Sequence, residues 1–96
     1  MTMEKISPLS EPLAREMSSL MPLYKVLLHN DDVNTMDHVI KSIMKVFHYS
    51  LEVSERIMLE AHQNGVALCT VEPFEKAELH RDQLQSYSLI STIEPE

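Results

Sequence analysis

The sequence predicts a small α+β domain with three strands and three helices in the order β-α-α-β-α-β. Two helical patterns follow each other in the middle of the chain, and three short apolar segments have the character of strands. Turn-forming residues, among them the only glycine, separate these segments. The 96 residues suffice for one domain and not for two. Because three strands need their shared apolar face covered, we expect the helices to pack on the sheet.

The first half of the domain contains a strand, a polar loop and a helix. Residues 23–29 are rich in apolar and β-branched side chains and predict the first strand, and residues 30–34 form the loop. Thr35 is a good N-cap, and Asp37 in the first turn suits the helix dipole. The helix continues to about residue 48, because apolar residues recur at helical spacing: Met36, Val39, Ile40, Ile43, Met44 and Phe47.

The second half contains the other two helices and two strands. Ser50 caps the second helix, and Asn64-Gly65 ends it because glycine adopts a positive φ without strain. Pro73 opens the third helix, where its missing N–H is not needed. The predicted ranges of the remaining elements are 66–71 for the second strand, 73–85 for the third helix and 87–93 for the third strand.

The N-terminal segment, residues 1–21, is predicted to be a flexible tail, and residues 22–96 form the domain. The tail contains several serines, mixed charge and two prolines, Pro8 and Pro12, which interrupt regular structure. Four apolar residues in it could form a short helical face: Leu9, Leu13, Met17 and Leu20.

Charge and cysteine content limit the classes of partner and compartment. The formal net charge of −7 argues against nucleic acid as a partner and favours a basic partner or the positively charged end of a peptide. Cys69 is the only cysteine, which excludes an intrachain disulfide and fits a reducing compartment. There is neither an apolar run of membrane-spanning length nor an apolar signal region, so we predict a cytoplasmic protein with no membrane partner.

Metal binding and catalysis find little support in the residue spacing. The five histidines lack the spacing of metal motifs: His29, His38, His48, His62 and His80. Asp32 begins a calcium-like pattern, but Asp37 replaces its glycine and Ile43 its final glutamate. Cys69 lies within an apolar strand, where a thiol is usually inert, and no serine lies in a glycine-flanked turn. We therefore expect no metal, no cofactor and no enzymatic activity.

Polar residues at the seam between the first strand and the first helix suit the recognition of an amine. An α-ammonium group needs three acceptors, and a carboxylate provides the strongest, charge-assisted one. Asn30 offers an amide oxygen, Asp31 a carboxylate, and His62 of the second helix a neutral ring nitrogen.

An apolar pocket next to these acceptors would hold the side chain that accompanies the amine. Met36 and Val39 lie one turn apart on the first helix, as Met58 and His62 do on the second. If the two helices pack side by side, the methionines border one pocket. The simpler alternative, which the pattern alone favours, is that these apolar residues are core and that the loop at residues 30–32 is merely solvated.

Several segments together resemble the ClpS adaptors, in particular the forms from cyanobacteria and plastids. The resemblance covers about residues 23–94. The matching segments are Tyr24-Lys25-Val26, Asn30-Asp31-Asp32, Asn34-Thr35-Met36 with His38-Val39, Met58-Leu59-Glu60-Ala61-His62, and Gly65 followed by Val66-Ala67-Leu68-Cys69. The family has an aromatic residue at the position of Val33 and a proline at that of Thr35, in its better-known bacterial members.

The resemblance implies a fold and a function. The fold is that of the C-terminal domain of the ribosomal stalk protein, a three-stranded antiparallel sheet packed against three helices. The function is that of an adaptor for N-degrons, which begin with a bulky apolar residue such as Leu, Phe, Tyr or Trp. The adaptor docks on the N-terminal domain of a Clp/Hsp100 unfoldase of the ClpC or ClpA type, which supplies the Clp protease. An alternative is a regulator that binds the unfoldase and changes its substrate choice without using the pocket.

The resemblance also implies roles for individual residues. Asn30, Asp31 and His62 match the α-amino ligands of the family. The positions that line or border its side-chain pocket are Asn34, Met36, Val39, Met58, Ala61 and Leu89. Met36 matches the residue that helps to exclude β-branched first residues, and Asp32 shapes the loop or adds negative potential. Glu75 matches a glutamate of the unfoldase-docking surface, and His80 stands where that surface often has a lysine.

Overall fold

The computed structural model describes residues 21–96, so the predicted tail lies outside the described residues except for Met21. The elements follow in the predicted order β-α-α-β-α-β. Their bounds are Leu23–His29 for β1, Met36–Phe47 for α1, Leu51–Asn64 for α2, Val66–Pro73 for β2, Phe74–Ser86 for α3 and Ile90–Pro95 for β3.

The three strands form one antiparallel sheet with β1 in the centre and the order β2-β1-β3. Leu28 of β1 pairs with Ala67 on one side and with Ser91 on the other. The register between β1 and β2 shifts between Val26 and Leu27. Val26 and Leu28 point to the same face of the sheet and are almost fully buried, which places the helices on this face.

The helix ends confirm the predicted caps. Thr35 Oγ1 accepts a hydrogen bond from the His38 N–H at 3.1 Å, and Ser50 Oγ accepts one from the Val53 N–H at 3.2 Å. Gly65, with a φ of 90°, ends α2, and its N–H donates to the Ala61 carbonyl. His48 ends α1 with a φ of 59°, a left-handed conformation that costs a non-glycine residue energy.

The core lies between the sheet and the three helices; every element except β3 contributes a buried apolar residue, and Ile93 of β3 is partly buried against it. Its buried apolar residues are Val26, Leu28, Ile43, Val46, Ile57, Met58, Ala61, Ala67, Cys69, Ala77, Leu84 and Leu89. Burial raises the pKa of the Cys69 thiol to about 12, with a smaller contribution from the charge of Glu60. The thiol is therefore protonated at neutral pH, as expected for a packing residue.

The third strand was predicted to begin at residue 87, and this prediction is wrong. β3 begins at Ile90, because the backbone turns at residues 87–89, which we call the α3–β3 turn. Ser88 has a φ of 69°, and its N–H donates to the Gln85 carbonyl at 2.8 Å. The left-handed backbone at Ser88 redirects the chain from α3 into the sheet.

Candidate functional site

A cavity of about 230 Å³ opens where β1 ends, between the following loop and the helices α1 and α2. It combines a polar side with an apolar side. Its lining residues are Leu28, His29, Asn30, Asp31, Asp32, Asn34, Met36, Val39, Met58, Ala61 and His62.

A backbone hydrogen bond brings the two polar halves of the cavity together. The Asn30 N–H donates to the Gly65 carbonyl at 3.0 Å. This bond ties the end of β1 to the residue that ends α2, three positions after His62. The predicted acceptors Asn30, Asp31 and His62 therefore line one cavity, although 31 positions separate Asp31 from His62 in the sequence.

Asp31 is held by its own loop. Its Oδ1 accepts hydrogen bonds from the backbone N–H groups of Val33 at 2.9 Å and of Asn34 at 2.8 Å, and its Oδ2 accepts one from Asn34 Nδ2 at 3.2 Å. The backbone bond from Asn34 is the main cause that lowers the pKa of the Asp31 carboxyl below its usual 3.8; partial burial opposes it. The Asn34 side chain, the Val33 N–H and the nearby His38 lower this pKa further. Asp31 is thus a fixed carboxylate at neutral pH.

The apolar side of the cavity consists of residues from both helices. Met58 and Ala61 of α2 are buried, with Met58 only 6% exposed, and Val39 of α1 is partly buried. Met36, the first residue of α1, is 48% exposed. The buried residues form the inner wall, and Met36 lies at the solvent-exposed edge.

Of the remaining predicted site residues, one lines the cavity and the others lie outside its lining. Asp32 lines the cavity and is exposed. Leu89, predicted to line or border the pocket, is 4% exposed, belongs to the core and is not one of the cavity-lining residues. Glu75 and His80 both lie on α3, away from the cavity, with Glu75 exposed and His80 partly buried.

Two contacts near the site were not predicted from the sequence, and both involve the α3–β3 turn. Asn34 Nδ2 donates to the Ser88 carbonyl at 2.8 Å, and His38 Nε2 lies 2.8 Å from the Tyr87 carbonyl. The three-residue spacing of Asp31 and Asn34 is typical of a local Asp-centred turn and could have predicted their contact. The contacts with residues 87 and 88 have no local signal, because they depend on how α3 is placed against α1.

Within residues 21–96, no three or more histidine, cysteine, aspartate and glutamate side chains are grouped so as to hold a metal ion. Over the same described part of the chain, none of the helices has the length and apolarity needed to cross a membrane.

Comparison with known proteins places this domain among proteolytic adaptors. The family model described as "ATP-dependent Clp protease adaptor protein ClpS" matches residues 19–92. The relative of the same name from Gloeobacter violaceus is 47% identical over 77 residues, which cover 79% of this chain and 83% of the relative. The relative from Synechococcus elongatus is 37% identical over 92 residues, which cover 95% and 97% of the two chains.

A solved structure has the same architecture. The structure of Agrobacterium tumefaciens ClpS2 bound to L-phenylalaninamide matches with a TM-score of 0.74 and 32% sequence identity, over 78% of this chain and 98% of that one. The predicted fold, the three-stranded antiparallel sheet packed against three helices, is thereby confirmed. The chain belongs to the ClpS family of ATP-dependent Clp protease adaptors.

Proposed function

We propose that this adaptor binds N-degron proteins by their free α-amino group and a bulky apolar first residue, and that it passes them to a Clp/Hsp100 unfoldase. The first residues that we expect to bind are Leu, Phe, Tyr and Trp. The observation that carries the proposal is the cavity itself, in which a fixed carboxylate and two further polar side chains lie next to an apolar wall. This combination matches the two chemical features of an N-degron.

The acceptors around Asp31 suit an ammonium group. A carboxylate offers about four lone-pair sites, and the hydrogen bonds from Val33 and Asn34 occupy three of those of Asp31. One site therefore remains for a ligand, and the exposed side chains of Asn30 and His62 supply the other acceptors. Because the ligand covers the site, solvent screens this charge pair less than a surface ion pair.

The apolar part suits one side chain. The cavity volume of about 230 Å³ is below the roughly 300–1,000 Å³ of pockets for drug-sized ligands. Burying one Leu or Phe side chain against Val39, Met58 and Ala61 stabilises the complex by about 1.5–3 kcal/mol. The ligand in the Agrobacterium tumefaciens structure, L-phenylalaninamide, carries both a free α-amino group and an aromatic side chain, which supports the proposal.

We further propose that the unfoldase is of the ClpC or ClpA type, that its N-terminal domain docks on α3, and that the protein works in the cytoplasm. Glu75 is exposed in the first turn of α3 and is available to a partner. α3 contributes no residue to the cavity lining, so docking and substrate binding can occur together.

The same separation supports a second candidate function, a regulator that binds the unfoldase and changes its substrate choice without using the cavity. For such a regulator, Asp31→Ala leaves the effect on the unfoldase intact, whereas removing residues 1–21 alters it. For the N-degron adaptor, Asp31→Ala abolishes the degradation of substrates that begin with Leu or Phe.

The decisive experiment is a titration of the full chain with fluorescent peptides that differ only at the N-terminus. We expect peptides beginning with Leu or Phe to bind, and their N-acetylated forms not to bind, because acetylation removes the charge and adds bulk. Equal binding of free and acetylated peptides would exclude the proposal.

A variant of Asp31 tests the carboxylate directly. Asp31→Asn retains an oxygen that can accept the backbone bonds of the loop and removes the charge. Loss of a charged hydrogen bond costs about 2–3 kcal/mol, so we expect the affinity to fall roughly 30- to 150-fold. An unchanged circular dichroism spectrum and melting temperature would show that the fold persists, and an affinity within threefold of wild type would contradict the role of Asp31.

A further inference from the structure

We propose that Asn34 is a positioning residue, which orients the Asp31 carboxylate by tying it to the α3–β3 turn. The inference rests on the proposed function, because it concerns the same amine site. It assigns to Asn34 a role that differs from contact with the first side chain of the substrate, which the family resemblance implies.

The amide of Asn34 joins two parts of the fold that are distant in sequence. Its Nδ2 lies 3.2 Å from Asp31 Oδ2 and 2.8 Å from the Ser88 carbonyl oxygen. An amide nitrogen carries two hydrogens, so these two bonds use both of its donors. Asn34 therefore has no side-chain donor left for a ligand.

The α3–β3 turn is a firm anchor for this bridge. The N–H groups of Tyr87 and Leu89 donate to the Leu84 carbonyl at 3.0 and 3.2 Å, which fastens the turn to the end of α3. Leu89 is buried in the core. His38 of α1 contacts the Tyr87 carbonyl, next to the carbonyl that Asn34 binds. Two successive carbonyls of the turn are thus held, that of Ser88 by Asn34 and that of Tyr87 by His38.

The bridge determines the direction of the oxygen that remains available. Two backbone N–H groups hold Oδ1 of Asp31, and Asn34 alone holds Oδ2. Without the Asn34 side chain, Oδ1 keeps its two backbone hydrogen bonds but Oδ2 is free to move. A ligand must then fix the position of Oδ2 when it binds. A group that is ordered before binding avoids this cost, so the bridge increases the affinity for the amine.

The test compares two peptides that differ in their first residue, one with Phe and one with Leu. For Asn34→Ala we expect both affinities to fall by the same factor, roughly 3- to 10-fold, as for one hydrogen bond. We expect the ratio of the Phe-peptide affinity to the Leu-peptide affinity to stay within twofold of its wild-type value. A change confined to one peptide, or no change for either, would overturn the proposal. The matched control is Gln83→Ala, which removes an exposed amide from α3 outside the cavity lining.

A double-mutant cycle separates action through Asp31 from direct contact with the ligand. If Asn34 acts through Asp31, Asn34→Ala weakens binding less than twofold when Asp31→Asn is already present. Full additivity of the two effects would mean that Asn34 acts independently, contrary to the proposal.

A measurement on the free protein distinguishes the failure of this proposal from failure of the proposed function. Since the Asn34 side chain lowers the pKa of the Asp31 carboxyl, Asn34→Ala raises this pKa in a carbon-detected NMR titration, whereas Gln83→Ala leaves it unchanged. An unchanged pKa would refute the bridge even if peptides bind. A raised pKa in a protein that binds neither peptide would retain the bridge and refute the amine site.

Discussion

Nδ1 of His80 lies 2.5 Å from Oε2 of Glu72, and the two side chains are only 18% and 11% exposed. The His80 ring also packs against Phe47, with 4.8 Å between the ring centroids. His80 therefore faces the protein, whereas Glu75, the other residue expected on the docking surface, faces solvent. We therefore expect substitution of His80 to change mainly stability, and substitution of Glu75 to change mainly binding to the unfoldase.

His80→Ala is expected to lower stability, because it leaves the shielded Glu72 carboxylate without its partner. The cost is about 1–3 kcal/mol, and each kcal/mol lowers the melting temperature of a domain of this size by roughly 4–8 °C. Glu75→Ala is the control, and we expect it to change stability by less than about 0.5 kcal/mol while weakening binding to the unfoldase N-terminal domain. Thermal denaturation and a binding titration with that domain measure both effects. Equal melting temperatures for the two variants would contradict the assignment of His80 to the folded interior.

The dependence of peptide binding on pH follows from the lowered pKa of Asp31. The carboxylate stays ionised until the pH falls below its usual 3.8, so its contributions to binding and to stability are present above that value and disappear as the pH falls through the lower, folded-state pKa. The peptide amine is protonated below about pH 7.7. We expect the ratio of the wild-type affinity to that of Asp31→Asn to stay constant from pH 7 to about pH 4. A ratio that declines between pH 7 and pH 5 would contradict a lowered pKa for the Asp31 carboxyl and its role in binding the peptide amine.

Met36→Ala is expected to change specificity with little effect on stability. Met36 lies at the solvent-exposed edge of the cavity with 48% of its surface exposed, so its truncation costs less than about 1 kcal/mol. Removal of its side chain makes room near the Cβ atom of the ligand, and we expect peptides beginning with Ile or Val to bind more tightly.

Met58→Ala is the contrasting variant: it creates a cavity in the core and lowers stability by about 2–5 kcal/mol. Peptide titrations and denaturant melts separate the two outcomes, and unchanged discrimination against Ile and Val in Met36→Ala would contradict the prediction.

Gly65→Ala is expected to destabilise the fold through the backbone alone. A Cβ atom at this position meets nothing within 4 Å, but the φ of 90° is one that side chains rarely adopt. The cost is about 1–2 kcal/mol of unfolding free energy. His48→Gly is the matched change in the opposite direction: because His48 has a φ of 59°, we expect glycine there to increase stability. Because the Gly65 carbonyl accepts the hydrogen bond from Asn30, peptide affinity reports whether the strain reaches the site. A melting temperature for Gly65→Ala at or above that of wild type would contradict the expectation.

The helices could be predicted almost to the residue, and the last strand could not. Thr35 and Ser50 are caps with a local signal, and the apolar period of α1 is unbroken. The sequence around Ser88 contains no glycine, the residue that usually occupies a left-handed position, so the turn there could not be predicted. The apolar residues after it therefore extended the predicted strand too far towards the N-terminus.

The polar side chains of the candidate site could be proposed from the sequence, but residue patterns alone could not show that they lie next to one another. Asn30 and Asp31 follow a strand and therefore lie at its end, a local inference. His62 joins them through tertiary structure, in which the backbone N–H of Asn30 donates to the Gly65 carbonyl at the end of α2. The resemblance to a family implied this proximity; it also implied that Leu89 lines or borders the pocket, and Leu89 is a buried core residue outside the cavity lining.

The central position of β1 affects how the protein opens. The loop with Asn30 and Asp31 continues directly from a strand that has partners on both sides, whereas β2 and β3 are each paired on one side. Transient fraying of the sheet begins at such outer strands, while a doubly paired strand exchanges its amide hydrogens only in the largest fluctuations. We therefore expect the loop to be attached to the most slowly exchanging strand of the sheet, so that fraying of the outer strand β2 or β3 leaves its attachment to β1 in place.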